Sequence, residues 1–413
     1  MKTSLVLFIL SLITTIGTSY ADWEGIGPDG GELRSLFQST QDAATIFGFS
    51  DYSPSRVVRT TDTGASWTVA GTLTGMEYCS AMGAGGTLYA GGGAEFYYST
   101  NGGASWTTVS CPNTYFYDVT PHPTAASTVY GAGFMYSGSY YTLCFMQSTN
   151  GGASWNYTSV GPANSYGYSL AVSKTNPAVM FISGYAYTGS TYVPKIYRTT
   201  NSGVSWTDVT PAASSSESFS YTTAVSPVDQ NLVLMGTMNS IYRSTNCGAS
   251  WTTVAAGVTN PSGMEFSLAD ANLVMCSGDT VVYRSANAGL TWSTVSSGGV
   301  SSGKGTTALV LHRTSPTLAF LGSTDGLCRS TDGGQTWAMY NDGVHLCEVL
   351  AIGVTPSQPS RIFLQLGTQG IWLTTNNGTS WTHLTTPLEC GDFCDIVVKS
   401  SDPNCVLALE GLG

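Results

Sequence analysis

The chain reads as an all-β protein, a β-propeller, on three observations: abundant turn residues, scarce charge, and an eight-residue pattern recurring at a period in the forties. Glycine contributes 49 residues and proline 16 of 413, while charged residues make up 9%. An ordinary globular domain carries about 25% charged residues. Hydrophobic residues at 42% supply material for a core, and the turn content excludes long coiled coils and helical bundles.

The pattern occurs eight times. It begins as Thr60-Thr-Asp-Thr-Gly-Ala-Ser-Trp67 and ends as Thr374-Thr-Asn-Asn-Gly-Thr-Ser-Trp381. Its third and eighth positions are Asp62 and Trp67, Asn101 and Trp106, Asn150 and Trp155, and Asn201 and Trp206. Asn246 and Trp251, Asn287 and Trp292, Asp332 and Trp337, and Asn376 and Trp381 follow. Successive tryptophans lie between 39 and 51 residues apart, the length of a four-stranded propeller blade.

Each unit parses alike. In unit 5, Phe219 to Val225 alternates as a first strand, Leu232 to Met235 is a second and Ser240 to Ser244 a third. The box is the next turn, and Trp251 to Val254 is the fourth strand. A lone unit cannot bury both faces of its sheet, so neighbours must stack around an axis. Asp or Asn at position three can accept from backbone N–H groups two residues on. Glycine at position five permits a positive φ, and tryptophan at position eight can wedge between adjacent sheets.

These residues resemble the Asp-box, or bacterial neuraminidase repeat, Ser/Thr-x-Asp-x-Gly-x-x-Trp. The resemblance spans nearly the whole chain after residue 21. It implies propellers with the box between third and fourth strands, as in sialidases, xyloglucanases, sortilin-type receptors and photosystem II assembly factors. Six of the eight boxes carry Asn where that family prefers Asp, which keeps the turn-forming carbonyl and discards the charge. The boxes are therefore read as structural, with no metal and no cofactor.

The counts imply a single propeller of eight or nine four-stranded blades over residues 22–413. Residues 392–399 and 404–410 would be two strands of a partial ninth blade, closed by the strand 22–27, with Trp23 near Val397 or Val406. Such an incomplete blade would also permit self-association into filaments.

Residues 1–21 read as a secretory signal peptide: Lys2, an apolar run from Leu5 to Ile16, and a small-residue cleavage site at Ser19-Tyr20-Ala21. That run is shorter than the ~20 residues of a membrane span. An extracellular location and some disulfides among the ten cysteines are expected. The net charge of −11, one unit more acidic without Lys2, argues against nucleic acid.

Chemistry is sparse. Five of nine arginines, at 59, 198, 243, 284 and 329, precede a box and belong to the repeat, so no arginine cluster remains to grip a carboxylate. Carboxylates expected opposite the boxes are Asp51, Asp279 and Asp325 between second and third strands, and Glu217, Glu265 and Glu348 between blades. Asp279 and Asp325 sit at equivalent positions of neighbouring units and are the candidate acid–base pair of a glycoside hydrolase. Units 3 and 4 are longer than the others between their second and third strands. The excess carries Phe134, Tyr136, Tyr140 and Tyr141 in unit 3, and Tyr185, Tyr187 and Tyr192 in unit 4. Tyrosine offers rigid amphipathic contact area. These side chains are the candidate surface for a glycan or an extracellular protein, which makes the chain a non-catalytic binding or assembly module.

Overall fold

The computed structural model describes residues 33–50, 54–75, 77–211, 217–278, 281–296, 306–323, 326–340, 349–355, 358–366, 370–384, 394–398 and 406–410. Every regular element in them is a β-strand. Eight four-stranded units succeed one another, each an antiparallel meander, and a two-stranded sheet follows. Unit 5 runs Ser220–Val225, Val233–Thr237, Ser240–Ser244 and Thr252–Ala256, within two residues of the sequence reading. Units 2 and 3 share one strand, Thr107–Pro121, and so form a continuous seven-stranded sheet.

The first strands surround a central channel. Second strands are the most deeply buried, as in Ile46–Ser50, Val233–Thr237 and Val274–Ser277, where every residue is buried. Fourth strands are outermost and mostly exposed.

The boxes set how units pack. The hydroxyl at position one is the hub: Ser99 Oγ accepts from Gly103 N at 3.0 Å and donates to Asn101 Oδ1 at 2.8 Å. Asn101 Oδ1 also accepts from Ser105 N at 3.0 Å, four residues on, and Asn101 Nδ2 donates to Ser105 Oγ. The expected reach of two residues is thus corrected to four. The turn is wider than an Asx-turn, because the position-one hydroxyl takes the nearer N–H groups.

The box glycine faces the preceding unit. A Cβ on Gly152 would lie 2.5 Å from Phe96, on Gly203 2.3 Å from Phe145, and on Gly248 3.1 Å from Phe181. Leu234 stands 2.7 Å from such a position at Gly289, and Met275 2.2 Å from that at Gly334. The box tryptophan closes the same interface, with Trp155 4.5 Å from Phe96 and Trp206 5.2 Å from Phe145 between ring centroids. At Gly152, Gly203, Gly289 and Gly334 a Cβ would force the neighbouring unit's side chain to move, so burial of a large apolar residue there selects the glycine as much as its φ does.

The same contact joins unit 7 to unit 1. Phe320 stands 2.6 Å from a Cβ position on Gly64, and Trp67 is buried with Leu33, Val58, Val310 and Leu327. Arg313 N donates to Gln38 Oε1 at 2.6 Å, and Arg313 Nη1 to Ser39 O at 2.7 Å. The circuit therefore closes at seven units, and the single ring of eight or nine is corrected. Repeat counting gives the number of units but not which two meet. Unit 8 packs instead on the two-stranded sheet Cys394–Val398 and Val406–Glu410, through Phe363, Ile371 and Ile396. The proposed closure through Trp23 and the strand 22–27 lies outside the described residues, as do residues 1–21.

Five cysteines, at 79, 111, 144, 247 and 276, are free thiols, four of them buried. The expected disulfides are absent among these five, where cysteine fills small apolar positions inside the sheets. Among the described residues no helix is long and apolar enough to cross a membrane.

Candidate functional site

The two ends of the ring differ in chemistry. Box turns share one end with the hairpins between first and second strands: Cys247 N donates to Asn231 O, and Ala288 N to Asn272 O. Lys174, Arg313 and His122 line that end of the channel, around a cavity of about 810 Å³. The opposite end carries the hairpins between second and third strands, tied to the links between units by Asn164 N to Tyr141 O and Tyr187 N to Asn164 O.

The hairpins Val129–Ser137/Tyr140–Ser148 and Met180–Tyr187/Tyr192–Thr199 are the long ones anticipated above. They stand side by side. Tyr136, Tyr140, Tyr187 and Tyr192 expose 45, 42, 37 and 43% of their surface. Phe134 and Tyr185 are buried and support the others from beneath, while Tyr141 is half-buried.

Tyr166, which sequence reasoning passed over, joins the two hairpins. Its ring lies 4.4 Å from Phe134, 4.1 Å from Tyr141 and 4.9 Å from Tyr185. Phe219 extends the layer beyond Tyr185 and Tyr192, at 4.9 and 5.2 Å. Burial first, then neighbouring phenols, raises the phenol of Tyr166, so it stays a neutral hydrogen-bonding group.

Of a second aromatic row, the sequence singled out only Tyr117, for its nearness to the long hairpin of unit 3. The first strands of units 2 to 5 place Tyr78, Tyr117, Tyr168 and Tyr221 around the channel mouth. Tyr78 stacks on Tyr117 at 5.5 Å, Tyr117 meets Tyr168 at 5.3 Å, and Tyr168 meets Tyr221 at 5.9 Å. Arg34 of unit 1 lies over the Tyr78 ring at 4.8 Å. The available signal was a tyrosine near the start of the first strand in four consecutive units.

Next to this row run side-chain bridges between first strands. Asp118 Oδ2 accepts from Leu170 N at 2.7 Å, Ser169 Oγ from Thr223 N at 3.2 Å, and Thr222 Oγ1 from Met264 N at 3.1 Å. Glu265 Oε2 accepts from Leu311 N at 2.9 Å. Glu265 was expected in a loop between blades; it lies instead on the strand Gly263–Phe266, in the channel wall. Glu217 precedes its strand and is buried against Tyr242 and Asn239 of its own unit. Asp51, Asp279, Asp325 and Glu348 fall outside the described residues, so the candidate acid–base pair does too. Among the described residues no three His, Cys, Asp or Glu side chains gather as a metal site would require.

Residues 39–279, more than half of the chain, match the DUF6242 beta propeller domain. No curated protein matches the chain. Among solved structures, it is similar to an ancestral GH74 enzyme, with a TM-score of 0.68 at 15% identity, over 92% of this chain and 58% of that one. The chain thus spans less than two thirds of that enzyme's length. The GH74 xyloglucanase from Xanthomonas campestris matches 94% of this chain and 98% of its own, at 12% identity and a TM-score of 0.28. YCF48 bound to D1 peptide matches 65% of this chain and 81% of its own, at 13% identity and a TM-score of 0.42. At these identities the likeness to the ancestral enzyme carries the fold and no activity. With seven units in circuit and a match over most of that circuit, the chain belongs to the DUF6242 beta propeller domain family.

Proposed function

We propose that this protein is a secreted, non-catalytic propeller that binds a neutral glycan on the tyrosine face opposite its boxes. One observation carries the reading: the two longest hairpins are adjacent and share a continuous aromatic layer with four half-exposed tyrosines. Lys174 is the only Lys, Arg, Asp or Glu in residues 119–194, although the whole chain carries −11. Lys174 belongs to the other end of the channel. A surface of ring faces and phenol hydroxyls without charge suits sugar rings, which offer apolar C–H faces and hydroxyls and need no counter-ion. The turn geometry supports the resemblance to Asp-box proteins, with a structural part for the boxes.

Affinity electrophoresis against neutral and acidic polysaccharides tests this. Retardation by a neutral polymer is expected. It should vanish when Tyr136, Tyr141, Tyr187 and Tyr192 become Ser, with the thermal midpoint within a few degrees of the parent's. Retained affinity in that variant defeats the reading, as does capture of a protein partner with no glycan binding. The competing reading is a glycoside hydrolase. Turnover on a fluorogenic glycoside panel that disappears in Asp279→Asn or Asp325→Asn would establish it. For secretion, the expected amino terminus of the exported protein is Asp22.

A further inference from the structure

We infer a second binding site, for an alkylammonium group, at the channel mouth beside the tyrosine row. Tyr117, Tyr168 and Tyr221 line a cavity of about 290 Å³ together with Asp118, Ser169 and Thr222. Three consecutive units thus present a phenol ring from equivalent places on their first strands, and the first of them adds a carboxylate.

The chemistry of that arrangement is specific. Aromatic faces attract cations through their quadrupole, and cages of tyrosine select ammonium groups whose hydration is weak. This row already holds one cation by that means, since Arg34 rests over Tyr78. Tyr78 stacks on Tyr117, where the row passes into the cavity. Asp118 sits there with backbone N–H partners, and among the described residues no cationic side chain forms an ion pair with it. Burial pushes its carboxyl up to about 6, which is the mark of a carboxylate short of positive charge. An entering ammonium group would supply that charge. Anions are disfavoured by the same carboxylate, and a neutral ligand would leave its charge uncompensated.

The site goes beyond the glycan reading and does not depend on it. Its residues are not those of the four-tyrosine variant above, so each proposal can fail alone. Two sources share the chemistry, a lysine side chain of a peptide and a quaternary ammonium headgroup, and the probes separate them. Titrate the full chain by calorimetry or NMR at pH 7.5 with choline, with N-acetyl-lysine methylamide, and with 3,3-dimethyl-1-butanol as the neutral isostere of choline. At least one cationic probe is expected to bind tenfold or more tightly than the isostere. The tighter of the two identifies the source.

Asp118→Asn keeps an acceptor for Leu170 N and removes the charge. It should weaken the cationic probe at least tenfold, with a thermal midpoint no lower than the parent's. Tyr168→Leu provides a second variant, which removes one ring and keeps apolar volume, and the same loss is expected. Equal binding of choline and its isostere, no binding of either cation at millimolar concentration, or undiminished binding in a folded Asp118→Asn protein would each overturn the proposal.

Discussion

Burial lifts the carboxyl of Asp118 to about 6 and that of Glu265 to about 7, from 3.8 and 4.5. Hydrogen bonds from Leu170 N, Val119 N and the Thr120 side chain oppose the shift at Asp118; Leu311 N and the more distant Lys174 charge oppose it at Glu265. In both cases burial wins. The folded ring therefore holds these protons more tightly than the unfolded chain does. Their contribution is most favourable below about pH 4 and is lost as pH rises through 6 to 7. Both side chains are only half-buried, so screening leaves a penalty on the order of 1–2 kcal/mol each at pH 8. The thermal midpoint should be higher at pH 5 than at pH 8, and Asp118→Asn with Glu265→Gln should flatten that slope. A second test at this scale uses two glycines of similar backbone. Gly203 has φ +87° and a Cβ position 2.3 Å from Phe145; Gly257 has φ +74° and open space. Gly257→Ala should cost about 1 kcal/mol from backbone strain alone. Gly203→Ala adds a steric clash and should cost about 2–4 kcal/mol in urea denaturation.

At the scale of the element, the three joints between units 4 and 7 each combine an apolar plug and a polar latch. The plug is the residue beneath the box glycine; the latch is the arginine before the preceding box. Arg198 Nη1 donates to Cys247 O at 2.8 Å, Arg243 Nε to Ala288 O at 3.0 Å and Arg284 Nε to Gly333 O at 2.6 Å. All three acceptors are the fourth box residue of the next unit. Arg243→Met should keep the packing of the stem but orphan the Ala288 carbonyl, at a cost of about 1–3 kcal/mol in a denaturation midpoint series. The arginine's place in the repeat was legible in the sequence, because it recurs one residue before the box. Its partner was not, since a single unit's sequence holds no record of what lies across the joint. The tyrosine hairpins were legible for the opposite reason: they break the repeat by their length. Tyr78, Tyr168 and Tyr221 escaped notice because they keep to it.

For the whole molecule, four-strand units and box turns could be read from period and composition, and the ring size could not. Closure depends on the wedge angle between neighbouring sheets, which side chains such as Phe96 and Met275 set in three dimensions. Units 1 to 7 make every joint among themselves, whereas unit 8 takes its apolar partners from residues 394–410. A chain ending at Tyr340 should accordingly unfold cooperatively, with a thermal midpoint within a few degrees of the full chain's. Deleting residues 306–340 as well uncovers Leu33, Val58 and Trp67, and calorimetry should then show no cooperative transition.

The joint between units 1 and 7 also sets an order of events during synthesis. Arg313 and Gln38, which meet there, are 275 residues apart in the chain. At translation rates of 5–20 residues per second, the amino-terminal unit waits roughly 15–55 s for the partner that covers Leu33 and Trp67. Throughout that interval an apolar sheet face is open to other nascent chains. The fold is thus most vulnerable to aggregation while it is being made. Chaperones that hold exposed apolar faces should raise its yield more than any substitution that strengthens the finished ring.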